Sequence, residues 1–356
     1  MELNYKQLLP VKNLPIIIIG AGGIVNDAHL PAYKKAGFHV AGITNRTKEK
    51  AAKLADKYSI AEVFDSVEQA VRSAPENCIY DITLMPDQFI DTLRQLPDRS
   101  FVMIQKPFGD NFNQTLGISK LCKEKKLKAA VNCQLRYAPF VLAAKDMINR
   151  GSIGEVYDME VRLTTHTPWE IFPNVQHHER LEIQQHSIHY IDLIRSFLGD
   201  PKGVMAKTLR NPVKAHSSTR STIIFDYGDT MHAVINTNHD HKFGSHNQES
   251  FIKWEGTKGC IKARMGLLLN YPVGVPDLFE YCIPDGNEAR WKTVQIEDSW
   301  FPDAFIGTMS SLMRYANGES LELPTSIDDV IKSMALVEAA YESHYHGSTK
   351  WNKYLI

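Results

Sequence analysis

Paired cysteines are missing from this sequence. The five present, Cys78, Cys122, Cys133, Cys260 and Cys282, are odd in number, scattered, and never at Cys-x-x-Cys spacing. That usage fits a reducing compartment and argues against a thiolate zinc site. Long apolar runs are missing too: none reaches the roughly 20 residues a membrane-spanning helix needs. The opening Met1–Lys6 is too polar for a secretory leader. Charge bias is absent. The net charge is −1 with both signs interspersed, so there is neither a nucleic-acid stripe nor a polybasic membrane patch. Internal repeats and low-complexity segments are also lacking. Together these absences predict a cytoplasmic protein with no nucleic-acid or membrane partner.

The composition is that of an ordinary globular chain, 43% hydrophobic and 23% charged over 356 residues. That length suffices for two domains, each with its own core. The organising stretch is Pro15-Ile-Ile-Ile-Ile-Gly20-Ala-Gly22-Gly23-Ile24-Val25. Four consecutive isoleucines ended by glycine read as a strand buried on both faces, as in a parallel sheet. A Gly-x-Gly loop and a helix over Asp27 to Ala36 follow. Strand, glycine loop and helix open a dinucleotide-binding βαβ unit, with Gly20 making the turn and Gly22 letting backbone approach a pyrophosphate at the helix N-terminus. The fingerprint is incomplete, because Val25 stands where glycine or alanine would bring helix and strand together.

A second strand, Phe38 to Thr44, ends in Asn45-Arg46-Thr47-Lys48. An acidic residue in this region, roughly 20 residues past the glycines, would hold the ribose hydroxyl of NAD. Neutral Asn45 followed by Arg46 favours NADP, or tolerance of NADP and NAD alike. Strands and helices keep alternating: a helix over Lys48 to Tyr58, a short strand at Val63-Phe64, a helix over Val67 to Ser73, and a strand from Cys78 to Leu84 running into Met85-Pro86-Asp87. Then come Phe89 to Leu96 as helix, Phe101 to Ile104 as strand, Asn113 to Lys125 as helix and Ala129 to Cys133 as strand. This is the period of a doubly wound parallel sheet. Right-handed crossovers bring Met85-Pro86 and Gln105-Lys106-Pro107 to the same edge as the glycine loop. There Lys106 faces the cofactor edge, and burial would lower its pKa.

Beyond about residue 150 the pattern becomes more alternating. Strand-like runs over Glu155 to Thr164, Val204 to Thr208, Thr219 to Phe225, Met231 to Thr237 and Ser250 to Glu255, and near Leu267 and Trp291, predict an α+β region on one open, mostly antiparallel sheet. The expected division is 1–130 for the dinucleotide domain and 131–356 for the second. A helix over Ile183 to Leu198 closes with Gly199. Gln185, His189 and Asp192 share one of its stripes. His189 is the acid/base candidate, because histidine titrates near neutral pH, and Asp192, one turn on, is placed either to orient its ring or to cap or pair locally. The preceding segment, Thr165 to Arg180, is rich in His and Trp but carries no His-Glu-x-x-His or His-x-His spacing. It reads as a polar, aromatic carbohydrate-binding loop rather than a metal site.

Taken together, these motifs resemble the glucose–fructose oxidoreductase/inositol dehydrogenase/MocA family from about Pro15 to Trp351. The resemblance rests on Gly20, Gly22 and Gly23 running into Asn26-Asp27-Ala28-His29-Leu30-Pro31-Ala32, and on Gln105-Lys106-Pro107, where the family usually has Glu-Lys-Pro, often with a cis bond. It extends to Asn132-x-x-x-Arg136-Tyr137-x-Pro139, to Gln185-His186-Ser187-Ile188-His189-Tyr190-Ile191-Asp192, to Gly256-Thr257-Lys258-Gly259, and to the terminal helix over Asp328 to Gly347. It implies an N-terminal Rossmann domain followed by a domain on an open sheet whose bare face forms a dimer or tetramer interface. It also implies nicotinamide-dependent oxidation of a sugar or cyclitol hydroxyl, or the reverse. Lys106 and His189 match the catalytic pair, with Gln185 beside them. Gly20, Gly22, Gly23, Ile24, Asn45, Arg46, Met85, Pro86, Gln105, Lys106, Pro107 and Arg136 would meet the cofactor. Lys106, Tyr137, Trp169, His186 and His189 would meet the substrate, with no metal. Gln105 and Gln185 depart from the usual acidic residues. Two other functions remain on this architecture: glycoside cleavage by transient oxidation, and a catalytically silent dinucleotide-binding regulator.

Overall fold

The structure is a computed structural model that describes residues 2–172, 175–213, 217–286 and 288–350. Its first half alternates strand and helix: β1 Ile16–Ile19, α1 Leu30–Ala36, β2 Val40–Thr44, α2 Lys48–Tyr58, β3 Glu62–Phe64, α3 Val67–Ser73, β4 Ile79–Ile82, α4 Phe89–Gln95, β5 Phe101–Ile104, α5 Phe112–Glu124 and β6 Lys128–Val131. The six strands form one parallel sheet in the order β3-β2-β1-β4-β5-β6. All four isoleucines of β1 are buried, which requires cover on both faces of the sheet. Burying each contributes about 1.5–3 kcal/mol. The strand order reverses between β1 and β4, so the crevice beyond their carboxyl ends is the binding edge of such a sheet.

The second half begins with α6 Pro139–Asn149 and β7 Val156–Thr164. It continues through α7 Ile188–Leu198, β8 Gly203–Leu209, β9 Arg220–Asp226, β10 His232–Asn238, β11 Glu249–Gly256, β12 Gly259–Arg264, β13 Leu278–Cys282 and β14 Trp291–Val294, and closes with α8 Ala304–Ala316 and α9 Ile327–His346. Its eight strands run β14-β13-β12-β11-β7-β10-β9-β8. Neighbours are antiparallel except β7 and β10, which are parallel, so the sheet is mostly antiparallel, as expected, with one parallel pair. Buried positions alternate along β7, β9, β10 and β11, giving one face to the core and leaving the other open.

Two local expectations are corrected, and one long-range packing was not foreseen. The first helix is helical from Gly23, not Asp27, and passes through a π-turn over Val25–His29. Val25 is wholly buried there, and the wider turn accommodates a branched side chain where a small one would fit a regular helix. The strand-like run near Leu267 is a short 3-10 turn, Gly266–Leu268. The strand in this region is β13, which periodicity did not reveal. Finally, α8 crosses back to the first sheet: Phe305, Met309, Leu312 and Met313 share a core with Ile16, Ile18, Tyr33 and Ile43. Trp351, at the end of the expected resemblance, lies outside the described residues.

Candidate active site

The crevice beyond β1 and β4 is built for close backbone approach. Gly20 has φ +119°, and a Cβ there would meet Thr83 Oγ1 at 2.5 Å and the Thr83 carbonyl oxygen at 2.9 Å. Only glycine tolerates both the conformation and the contact. A Cβ at Gly22 would project into open space, with nothing within 4 Å. Ile24 lies in the first helical turn. Asn45, at the end of β2, steadies this loop: its Oδ1 accepts from the Ala21 N–H at 3.1 Å and its Nδ2 donates to the Thr47 carbonyl at 2.9 Å. Arg46 is exposed beside it, whereas Lys48 pairs with Asp65. Met85 leads into the short turn Pro86–Gln88. This set fits a dinucleotide: a tight glycine turn, open backbone at a helix start, and a cation rather than a carboxylate at the end of β2.

Lys106 stands just past β5, after Gln105, and its bond to Pro107 is cis. Its Nζ donates to the carbonyl of Gln185 at 2.9 Å. Gln185 lies in a second π-turn, Ile183–Ser187, just before α7, where the α-helical bonding pattern is interrupted and a carbonyl is free for an outside donor. Burial lowers the pKa of Lys106 to about 8. His189, in the first turn of α7, stands edge-on to Trp300 at 5.7 Å between centroids. Burial, then the charges of Lys106 and His186, hold its pKa well below the usual histidine value, so its ring is neutral at physiological pH. Lys106 and His189 line one cleft with Cys133, Leu135, Ile188 and Asp192. A cation and a neutral imidazole beside one small cleft can stabilise an oxyanion and accept a proton.

Several expected site residues have other partners. Asp192 does not orient His189: its carboxylate takes Arg136 Nε at 2.7 Å, Arg136 Nη2 at 2.5 Å and Ser333 Oγ at 2.8 Å. Arg136 also reaches Asp329 at 2.7 Å and the Pro324 carbonyl at 2.9 Å. Its guanidinium is therefore a clamp between α7 and α9. Tyr137 packs against α8, where a Cβ at Gly307 would come within 2.5 Å of Tyr137 Cβ and 2.7 Å of its ring edge. Trp169 is wholly buried, edge-on to His186 at 5.1 Å and beside His239 at 5.5 Å. It buttresses His186 and offers no open face for a sugar. His186 is itself kept neutral, chiefly by burial. Pro173 and Asn174 of the expected carbohydrate loop lie outside the described residues.

A buried cluster beneath Lys106 was not foreseen. Asp81, inside β4, accepts from Tyr33 Oη at 2.7 Å, and His29 Nδ1 lies 2.8 Å from the same oxygen. The other ring nitrogen of His29 is 2.9 Å from Gln105 Nε2, and Gln105 Oε1 accepts from the Lys106 backbone N–H at 3.1 Å. The signal available in the sequence was a lone aspartate in an otherwise apolar strand, which is too costly to bury without a partner.

Residues 14–133 match the model of an oxidoreductase family with an NAD-binding Rossmann fold, and residues 141–262 match the Gfo/Idh/MocA C-terminal domain. A D-apiose dehydrogenase of Rhizobium rhizogenes is 26% identical over 257 residues, covering 69% of this chain and 70% of that protein. Among solved structures, an Agrobacterium radiobacter oxidoreductase in complex with NAD+, L-tartaric acid and magnesium superposes with TM-score 0.79 at 21% identity, over 97% of this chain and all of the other. A super-repressor mutant of Gal80p from Saccharomyces cerevisiae superposes with TM-score 0.78 at 14% identity, over 95% of this chain and 97% of the other. At such identities the two structures share the fold.

Proposed function

Because this chain belongs to the Gfo/Idh/MocA oxidoreductase family, we propose that it moves a hydride between a nicotinamide dinucleotide and the hydroxyl- or keto-bearing carbon of a sugar, sugar derivative or cyclitol. The observation that carries this reading is the meeting of Lys106, from the end of β5, with His189, from α7, on one cleft. The dinucleotide supplies the hydride acceptor, or in reverse the donor, at nicotinamide C4. Neutral His189 takes the hydroxyl proton as the carbon gives up its hydride. The Lys106 ammonium hydrogen-bonds the same oxygen and stabilises its growing negative charge. In the reverse direction His189 returns the proton and Lys106 polarises the carbonyl. Gln185 Nε2, buried without a protein acceptor, is a donor left for a substrate oxygen. A carbohydrate substrate accords with the similarity to a D-apiose dehydrogenase.

For the cofactor we favour NADP. Arg46 is exposed at the end of β2, and Asn45, whose amide is engaged with the loop, carries no charge to repel a 2′-phosphate. Copies would pair through the open face of the eight-stranded sheet, where Met205, Ile224 and Val234 are adjacent in register across β8, β9 and β10.

The decisive variant is His189→Ala, assayed against a panel of sugars and cyclitols. It should bind dinucleotide as the parent does and lose turnover. Persistent turnover would remove the role given to His189. A dinucleotide-binding regulator is the second reading. It is favoured by one observation, that the carboxylate one turn from His189 is taken up by Arg136. It predicts dinucleotide binding with no turnover by the parent protein on any member of the panel.

A further inference from the structure

The cluster under Lys106 has a proton count that can be read from its geometry. A backbone N–H can only donate, so the Gln105 oxygen, 3.1 Å from Lys106 N, is fixed as the acceptor. The Gln105 NH2 group then necessarily faces His29 Nε2 at 2.9 Å. Asn132 Nδ2 approaches the same nitrogen at 3.4 Å, with Asn132 Oδ1 accepting from Thr308 Oγ1 at 2.9 Å. The Gln105 amide donor points at Nε2, so Nε2 carries the lone pair and the ring proton sits on Nδ1, donated to Asp81. Asp81 and His29 are both wholly buried, so two lone pairs set against each other there would carry a full desolvation cost.

We propose that Asp81, His29 and Gln105 form a positioning chain with a single ring proton, which locks the Gln105 amide and through it the Lys106–Pro107 corner. The chain makes an amide at position 105 a requirement rather than a neutral replacement. A carboxylate there would set lone pair against lone pair at Nε2, unless His29 took a second proton between two buried carboxylates. The carboxylate needed by the imidazole is supplied from the other side, by Asp81. His29 belongs to the helix that follows the glycine loop, and Gln105 to the strand end that carries the lysine. The chain thus ties the dinucleotide loop to the residue that meets substrate. Its effect on cofactor binding rests on the dehydrogenase reading; its proton count does not.

The test uses the full chain labelled with 15N in its histidines, the His29 signal being the one lost in His29→Gln. In the parent protein at neutral pH, Nδ1 should be the protonated, pyrrole-type nitrogen and Nε2 the pyridine-type one. Exchanging the two groups, as Asp81→Asn with Gln105→Glu, should invert that tautomer, because the carboxylate has moved across the ring. NADPH affinity, followed by nicotinamide fluorescence, should fall about tenfold in Gln105→Glu alone and recover most of that loss in the double variant, since residues of one network couple. A simple loss of packing would give neither the inversion nor the recovery. A parent ring protonated on Nε2, or a double variant whose loss equals the sum of the single ones, would overturn the proposal. If the parent protein binds neither NADPH nor NADH, the dehydrogenase reading fails, and the tautomer still decides the chain on its own.

Discussion

Burial works on Lys106 and His189 in the same direction and with opposite consequences. It weakens the hold of each on its proton. For His189 that makes the proton acceptor available throughout the physiological range. For Lys106 it brings the loss of the ammonium down to about pH 8, and the charged form is the one that stabilises an oxyanion. The rate of hydroxyl oxidation should therefore hold below that pH and decline as pH rises through it; Lys106→Arg, which cannot deprotonate in this range, should abolish that decline whatever its own activity. A pH–rate profile with no fall near that value in the parent protein would remove the charge role of Lys106. Both residues were legible in the sequence because their positions carry meaning: a lysine between a buried strand and a proline, and a histidine on a helix face. The packing partners of Tyr137 and Trp169 were not legible, because an aromatic near a site is as useful to packing as to binding, and the sequence does not say which neighbour claims it. Asp81 and His29 lie 52 positions apart, and nothing in a linear pattern pairs them.

At the scale of elements, the strands of the first half were legible from their β-branched runs, because a parallel strand buried on both faces leaves no polar alternation. The two π-turns were not. A single widened turn has no period, yet one of them accommodates Val25 and the other presents the Gln185 carbonyl to Lys106. The glycine turn is the most constrained joint. Gly20→Ala forces a side chain onto Thr83 at a positive φ. It should cost about 1–3 kcal/mol from backbone strain alone, measured by urea unfolding, and should weaken dinucleotide binding more than it weakens the fold. Unchanged affinity for both dinucleotides would show that the loop does not hold the cofactor. The one parallel pair of the second sheet, β7 with β10, was hidden for a different reason: alternation reports which face is buried, and says nothing of strand direction.

The whole molecule is held around a few long-range ties. Arg136, between β6 and α6, grips Asp192 on α7 and Asp329 on α9, and its side chain is only 11% exposed. Removing it leaves the buried Asp192 carboxylate without a cation, while Asp329 keeps Arg195, and Arg136→Ala should destabilise the fold by about 3–5 kcal/mol, read from denaturant midpoints. A loss under about 1 kcal/mol would place the pair in the class of surface ion pairs. The order of elements along the chain was readable from alternating patterns, whereas the return of α8 to the first sheet was not, because its apolar face fits either core. What unites these ties is a crevice whose edge is a glycine loop, a cation after β2 and a lysine after β5. The measurement that tests this most directly is titration of the purified protein with NADPH and with NADH, followed by nicotinamide fluorescence. Saturable, exchangeable binding is predicted, tighter for NADPH, with that preference lost in Arg46→Asp. Failure of either dinucleotide to bind would contradict the account at its foundation.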